Sequence, residues 1–213
     1  MKLLVSGSTK SLRSAVQRAP DAFGILTSPA AGNAIPSIVK SGLPWAIDNG
    51  AFSGFDEMAF QLLLVRAAYA QRKPEWVVCP YVVLGAVATL DLFSQWQWKI
   101  AQHGLPVAFV AQDGQERLPL PPYPLWTCLF IGGSTEFKLS RAAADLASEA
   151  KKRHKLVHMG RVNSRRRLAH ALDVGCDSVD GSGMSRWGDV HLLKFARWLG
   201  VLKQQPVLDW GQG

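Results

Sequence analysis

The sequence has 213 residues, 48% apolar and 19% charged, which is typical of a globular domain and excludes a disordered or fibrous chain. Its formal net charge is +8, and no apolar run approaches the roughly 20 residues of a membrane helix. The apolar part of the N-terminus is too short for a secretory signal, so we expect a cytoplasmic protein without membrane association. Cys79, Cys128 and Cys176 are far apart and odd in number, which favours buried free thiols over disulfides or a zinc site of paired cysteines.

Short apolar runs alternate with helical patterns along the whole chain. Eight of these runs have the length and the flanking turn residues of buried strands. In chain order, the predicted strands are 2–5, 22–26, 45–48, 76–79, 107–110, 127–131, 156–159 and 176–180.

The helical pattern is clearest in the segment 56–71. Its apolar residues Met58, Leu62, Val65 and Tyr69 have the spacing of one helix face, so we expect this face to be buried. The other regular helical patterns cover 88–103, 140–153, 164–174 and 190–202.

The remaining connections give weaker signals. The segment 35–41 predicts a short helix, and 115–124, with its four prolines, predicts a loop. Asn163 or Ser164 can cap the helix that follows, and Gly175 can end it.

Strands that alternate with crossover connections predict a parallel sheet. Eight of them predict a compact (β/α)8 TIM barrel that forms a single domain over 1–213, near the lower end of the roughly 200 to 400 residues of such barrels. The alternative is an open, doubly wound sheet, which the lack of a glycine-rich dinucleotide fingerprint after the first strand disfavours.

Small, acidic and amide residues cluster after the predicted strands, where a barrel builds its active site. Elsewhere the strands are apolar, so the cluster predicts a catalytic pocket. Its segments are Asp48-Asn49-Gly50-Ala51-Phe52, Pro80-Tyr81, Gln112-Asp113-Gly114, Gly132-Gly133-Ser134-Thr135-Glu136, His158-Met159-Gly160-Arg161 and Asp177-Ser178-Val179-Asp180.

Asp48 and Asp180 are the candidate catalytic pair, because they follow the third and eighth strands and can face one pocket. One carboxylate can trap the oxocarbenium-like sugar that forms when an N-glycosidic bond breaks. A second carboxyl can carry the proton of the base. The alternative is that each aspartate caps the helix after its strand.

Three further positions suit the binding of a base. Gly132 and Gly133 let a planar ring or a sugar approach the backbone, although an ordinary turn also uses glycines. Gln112 can donate and accept at a base edge. Glu136 either orients a neighbour or lies at the surface.

A run of basic residues without any acidic residue extends from 151 to 172. It is typical either of a phosphate-binding surface or of a solvated helix face, and the sequence pI of about 9.7 favours nucleic acid. The basic residues are Lys151, Lys152, Arg153, Lys155, Arg161, Arg165, Arg166 and Arg167.

Taken in order, these motifs resemble the tRNA-guanine transglycosylase superfamily, and among its members the phage and bacterial proteins that put deazaguanine bases into DNA. The segment 48–52 resembles the family's Asp-Ser-Gly-Gly-Phe element, whose aspartate is the general acid/base. The segment 112–114 resembles its Gln-Gly-Gly turn, and 131–133 followed by Glu136 resembles its Gly-Gly…Glu stretch beside the base.

The most specific likeness lies between 158 and 186. His158-Met159-Gly160 resembles the family's Leu-Met-Gly strand, and 175–180 resembles Gly-x-Asp-x-Phe-Asp, whose last aspartate is the nucleophile. Arg186 keeps the spacing of the arginine that follows. The resemblance therefore implies that Asp180 is the nucleophile, that Asp48 is the acid/base, and that the base pocket comprises Asn49, Phe52, Tyr81, Gln112, Asp113, Gly132, Gly133, Glu136, His158, Met159 and Gly160.

Two departures from the family change the expected substrate. The tRNA-acting members carry a Cys/Cys/Cys/His zinc subdomain after the barrel, and nothing in this sequence can supply one, so tRNA is less expected than DNA and no metal is expected. Tyr81 stands where the family reads guanine with an aspartate. A phenol donates one hydrogen bond, so Asp113 takes part of the recognition, the base differs, or the tyrosine stacks on it.

The leading hypothesis is a transglycosylase that replaces guanine in DNA with a 7-deazaguanine base through a covalent Asp180–sugar intermediate. DNA and a free nucleobase are the two substrates, no cofactor is required, and the phosphates are held by Arg161, Arg165, Arg166 and Arg186. Members of the family often dimerise, so a homodimer is one expected assembly.

Two alternatives stay open. If water resolves the intermediate, the protein is a DNA glycosylase. A barrel that binds nucleic acid or a nucleobase without chemistry is the other alternative, although a pure binder gains nothing from two desolvated carboxylates.

Overall fold

The computed structural model of the protein describes residues 1–6, 9–31, 34–181 and 189–204 and contains a closed barrel of eight parallel strands. Each strand pairs with the next, and β8 closes the ring on β1, where Leu4 lies opposite Asp180. The ring confirms the predicted (β/α)8 barrel. The strands are β1 (Lys2–Val5), β2 (Phe23–Thr27), β3 (Trp45–Ile47), β4 (Val77–Val78), β5 (Val107–Ala111), β6 (Cys128–Ile131), β7 (Leu156–Met159) and β8 (Ser178–Asp180).

All eight predicted strands are present, and their ends lie within two residues of the predicted ends. The shortest is β4, which lies between Pro74 and Pro80, two residues that cannot donate to a strand ladder. Backbone bonds nevertheless continue on both sides of it, since Glu75 N donates to Trp45 O at 2.7 Å and Cys79 N donates to Ala108 O at 3.1 Å.

Helices connect the strands on the outside of the ring. The Ser164 hydroxyl accepts a hydrogen bond from Arg167 N and caps its helix, and Gly175, at φ +78°, follows the helix end as predicted. The predicted loop at 115–124 contains two 3-10 turns, Gln115–Arg117 and Tyr123–Leu125. The helices are α1 (Thr9–Arg18), α2 (Ile35–Lys40), α3 (Glu57–Ala68), α4 (Ala86–Ala101), α5 (Thr135–Lys138), α6 (Arg141–Lys152), α7 (Arg165–Asp173) and α8 (Asp189–Gln204).

The predicted buried face of α3 is wrong. Met58, Leu62, Val65 and Tyr69 are 82%, 49%, 42% and 87% exposed. Apolar residues surround this helix on nearly every side, so the spacing alone fits more than one stripe. The buried stripe consists of Phe60, Leu63, Leu64 and Ala67, and the Phe60 ring packs on Trp96.

Strand side chains alternate between two packed layers, as the two-residue period of a strand requires. Leu3 and Val5 point outward to the layer beneath the helices, whereas Leu4 points into the barrel. The interior is filled mainly by Leu26, Ala46, Trp76, Val78, Ala108, Val110, Cys128 and Phe130.

The three cysteines are buried free thiols, as predicted. Within the described residues, no helix is both long and apolar enough to cross a membrane.

Candidate active site

Alternation along β7 and β8 brings three polar side chains together inside the upper part of the barrel. Ser178 and Asp180 are two residues apart on β8, and His158 on β7 pairs with Ser178 in register. The His158 ring is fully buried between Trp76 and Phe130, with ring centroids 4.8 and 4.6 Å away. These contacts fix the imidazole beneath the mouth of the barrel.

Both carboxylate oxygens of Asp180 accept a hydrogen bond. His158 Nε2 lies 3.1 Å from Oδ2, and the backbone N–H of Arg161 donates to Oδ1 at 2.9 Å. A carboxylate only accepts, so Nε2 carries the proton, and Nδ1 accepts from the Ser178 hydroxyl at 2.8 Å. The side chain of Asp180 remains 16% exposed, so it is fixed in orientation and still open to the mouth.

Asp48 follows β3 and is half-buried. Burial and, to a smaller extent, the negative charge of Asp180 together raise the pKa of its carboxyl from 3.8 to about 6. The backbone N–H of Gly50 donates to Oδ1 across 3.4 Å, a long bond that stabilises the anion weakly. Two carboxyl groups in one mouth therefore have different surroundings, which is the usual basis for different roles in acid/base chemistry.

The Tyr81 phenol belongs to the same mouth. It is half-buried, and burial together with the charges of Asp48 and Asp180 raises its pKa, while Arg161 acts in the opposite direction. The phenol therefore stays protonated at neutral pH and presents one O–H donor beside the two carboxyl groups.

A contact between loops on opposite sides of the ring spans the mouth. The Arg161 guanidinium, which follows β7, lies over the Phe52 ring, which follows β3, at 4.3 Å from the centroid. Arg161 has φ +60°, a left-handed conformation that is rare outside glycine and is typical of functional sites. In this conformation its N–H points at Asp180.

Three predicted base-binding residues hold the mouth loops together. The Asn49 amide donates to Cys79 O at 2.7 Å and accepts from Ala51 N, so it joins the loops after β3 and β4. Gln112 Oε1 accepts from Leu84 N. Asp113 accepts from the Ser134 backbone N–H at 2.8 Å and from its hydroxyl at 2.5 Å. The described contacts of these side chains are internal, and a role as direct base readers stays a prediction.

The predicted glycines are explained by internal packing. A Cβ on Gly132 would lie 2.7 Å from Gln112 Nε2, and a Cβ on Gly133 would collide with the Asp113 carboxylate. A Cβ on Gly160 would lie 2.8 Å from the Phe130 ring. Protein side chains therefore occupy the space beside these glycines. The glycines are required by this internal packing and not by a need to leave room for a ligand.

Three other predicted contacts fall elsewhere. The Met159 side chain packs in the outer layer, and fully buried His158 contacts Asp180 and Ser178, so neither side chain is open to the mouth and their contact with a base stays a prediction. Glu136 is exposed, which agrees with the alternative that this residue lies at the surface. Arg186 lies outside the described residues.

The basic run is divided between the two ends of the barrel, because β7 passes through its middle. Lys151 pairs with Asp177 at 2.8 Å, and Lys155 donates to Trp126 O, both at the amino-terminal end. The basic run therefore does not form one continuous surface, and only its mouth-end part can take up the predicted phosphate contacts. The arginines at the mouth end are Arg161, Arg165, Arg166 and Arg167, of which the first three are exposed.

Lys138 is a mouth residue that no sequence motif singled out. It ends α5 and is 4% exposed. Burial lowers the pKa of its ammonium to about 8, Arg161 and Arg167 contribute, and Asp180 and Asp113 oppose the shift. One lysine in a four-residue helix has no periodicity that a sequence pattern could detect.

The described residues contain no group of three or more His, Cys, Asp or Glu side chains arranged to hold a metal ion. Fold and mouth together define a (β/α)8 barrel with a pair of carboxyl groups at the carboxyl ends of its strands.

No protein-family model matches the sequence, and a search of curated proteins finds no relative. Solved structures share the fold. One described as native KDPGal is 14% identical, with 96% of this chain and 95% of that chain covered and a TM-score of 0.57. A mandelate oxidase with (S)-2-phenylpropionate is 12% identical over 95% of this chain and 72% of the other, with a TM-score of 0.59. At such identities the likeness shows the barrel fold alone.

Proposed function

We propose that this barrel is a base-exchange transglycosylase that replaces guanine in DNA with a 7-deazaguanine base. The observation that carries the proposal is the pair of carboxyl groups in one mouth. Asp180 is oriented by two donors, and Asp48 has a pKa near 6. A nucleophile needs to be held in a fixed orientation, as Asp180 is. A group that gives and takes a proton needs a pKa near neutral pH, as Asp48 has.

The reaction balances with these two residues. An Asp180 oxygen attacks C1′ of the flipped nucleotide, the C1′–N9 bond breaks, and its electron pair leaves with guanine, which takes a proton from Asp48. The entering base loses a proton to Asp48 and attacks C1′, and the ester bond to Asp180 breaks. Both carboxyl groups return to their starting protonation states.

The exposed arginines at the mouth end support a polyanionic substrate. Arg161 follows β7 directly, and Arg165 and Arg166 lie in the first turn of α7. Their charges can hold phosphates beside the mouth while the target nucleotide enters it.

A DNA glycosylase is the second candidate, and Tyr81 is the observation that favours it. Its phenol offers one donor beside the carboxyl pair, which supports recognition of a base other than guanine or a mechanism without an entering base. In that case water, deprotonated by Asp48, would take the place of the second base.

Base release and base incorporation test the proposal together. Duplex and single-stranded oligonucleotides with radiolabelled guanine are incubated with the protein, with and without added 7-deazaguanine bases, and the free and DNA-bound label is measured. Exchange predicts that release beyond about one equivalent of protein depends on the added base and that this base is incorporated, whereas hydrolysis predicts continued release without it and an abasic site. A matched RNA oligonucleotide tests the choice of DNA.

Matched variants complete the experiment. We expect Asp180→Asn to lower release on the order of 10³-fold or more and Asp48→Asn on the order of 10²-fold. Asp173→Asn makes the same chemical change at the exposed far end of α7 and should leave turnover unchanged. If neither mouth substitution alters any turnover while DNA binding survives, the barrel is a binding protein.

A further inference from the structure

A lysine with a largely buried side chain, Lys138, lies at the β6–β7 side of the mouth and has no ion-pair partner among the described residues. Lys138 is 4% exposed, and within the described part of the chain no hydrogen bond or ion pair reaches its ammonium. Lys138 belongs to α5, which follows the carboxyl end of β6 and contacts Arg167 through the Thr135 hydroxyl. The charges that act on the ammonium belong to Asp113, Arg161, Arg167 and Asp180, which lie at or after the carboxyl ends of strands. The ammonium therefore lies on the mouth side of the barrel.

The two arginines beside Lys138 use neutral acceptors. Arg167 donates to Arg161 O at 3.2 Å and to the Thr135 hydroxyl at 3.0 Å, so it ties the loop after β7 to α5. The guanidinium of Arg161 lies over the Phe52 ring. These contacts orient both arginines and neutralise neither.

The nearby carboxylates are already engaged. Asp113 accepts two hydrogen bonds from Ser134, and Asp180 accepts from His158 and from the Arg161 backbone. Three positive side chains thus share a small region in which the two negative ones are held by other donors. Partial desolvation disfavours the charged ammonium and lowers its pKa, and an anionic ligand beside it would offset part of that cost.

We infer that Lys138, Arg161 and Arg167 form a subsite for one phosphodiester group of the bound nucleic acid. Two guanidinium forks and a lysine point charge are the donors that proteins use for phosphate. The subsite adjoins Asp180, so the phosphate is the one next to the sugar under attack. The identification of the ligand as a nucleotide rests on the proposed function, whereas the positive subsite itself does not.

The subsite is tested by the salt dependence of binding. The affinity for a short fluorescent single-stranded oligonucleotide is measured by anisotropy at several salt concentrations for the wild type, Lys138→Met and Lys138→Arg. Lys138→Met keeps most of the apolar stem and removes the charge. We expect it to weaken binding about tenfold and to reduce the slope of log affinity against log salt by about 0.7. Lys138→Arg should keep the slope of the wild type.

Lys152→Met is the matched control, because it removes the same charge from an exposed position at the end of α6, at the far end of the barrel. Its slope should stay within about 0.2 of the wild type. Equal slopes and affinities for Lys138→Met and the wild type would overturn the subsite.

A measurement on the wild type alone covers the case in which Lys138→Met does not fold. At the same ionic strength, inorganic phosphate should displace more of the oligonucleotide than chloride does. Equal displacement by the two anions would also overturn the subsite.

The subsite and the proposed reaction fail separately. If Lys138→Met weakens oligonucleotide binding while no base is released or exchanged, the subsite stands and the reaction is wrong. If base exchange occurs and Lys138→Met binds like the wild type, the reaction stands and the subsite is wrong.

Discussion

Asp180 illustrates how the interior of the barrel supports an exposed reactive group. A carboxylate at the end of a strand is partly desolvated, and hydrogen-bond donors on both oxygens compensate for this loss. One donor belongs to a left-handed residue, Arg161, and the other to His158, which Ser178 orients in turn. The geometry of Asp180 thus depends partly on His158 and Ser178, which lie beneath the mouth.

His158 is accordingly predicted to be a positioning residue. His158→Phe should fit between Trp76 and Phe130 but leaves Asp180 Oδ2 without its side-chain donor. We expect base release to fall about 10- to 100-fold with little change in KM, by analogy with the loss of other orienting partners. His158→Gln, which can still donate, should recover part of the rate.

Steady-state kinetics of both variants, with thermal melting as a folding control, check this prediction. A loss of rate in His158→Phe that the glutamine variant does not reduce would indicate a purely structural role for the ring.

At the scale of single elements, α3 shows where sequence periodicity reaches its limit. Leu62 and Leu64 belong to the same run of three leucines, yet Leu62 is 49% exposed and Leu64 is 1% exposed. Leu64→Ala should lower the free energy of unfolding by about 2 to 5 kcal/mol, because it removes buried methyl groups and leaves a cavity. Leu62→Ala should change it by less than about 1 kcal/mol.

Urea unfolding of the two alanine variants checks this contrast. A larger loss for Leu62→Ala would mean that the face predicted from the sequence, and not the face in the structure, is buried.

The strands were predictable for a reason that α3 lacks. A buried parallel strand is a short apolar run on both faces, so its position can be recognised without knowing what it packs against. The face of an apolar helix is decided by its partners, here Phe55 and Trp96 around Phe60.

The candidate site was predictable only in part, for the same kind of reason. Asp48, Tyr81 and Asp180 were found because active-site residues follow strands. The internal roles of Asn49 and Asp113 depend on loop contacts that the sequence does not encode locally.

At the scale of the whole molecule, stability should depend on pH through Asp48. Its pKa is raised from 3.8 to about 6, so between these values the folded protein holds a proton that the unfolded chain releases. The stability present below about pH 4 is therefore lost as the pH rises through about 6. A shift of this size corresponds to roughly 3 kcal/mol.

Asp48→Asn should remove this pH dependence. The variant and the wild type should have similar free energies of unfolding at about pH 4, and the variant should be more stable by up to roughly 3 kcal/mol above about pH 7. Urea midpoints measured across this range check the prediction, and a difference that does not change with pH would contradict it.

The most direct test of covalent glycosidic chemistry is the capture of the intermediate. The protein is incubated with guanine-containing duplex and single-stranded DNA, denatured, and examined by intact mass. We predict an adduct whose mass equals protein plus DNA minus guanine, present in the wild type and in Asp173→Asn and absent in Asp180→Ala. Intact DNA binding with no adduct and no released base would contradict the account.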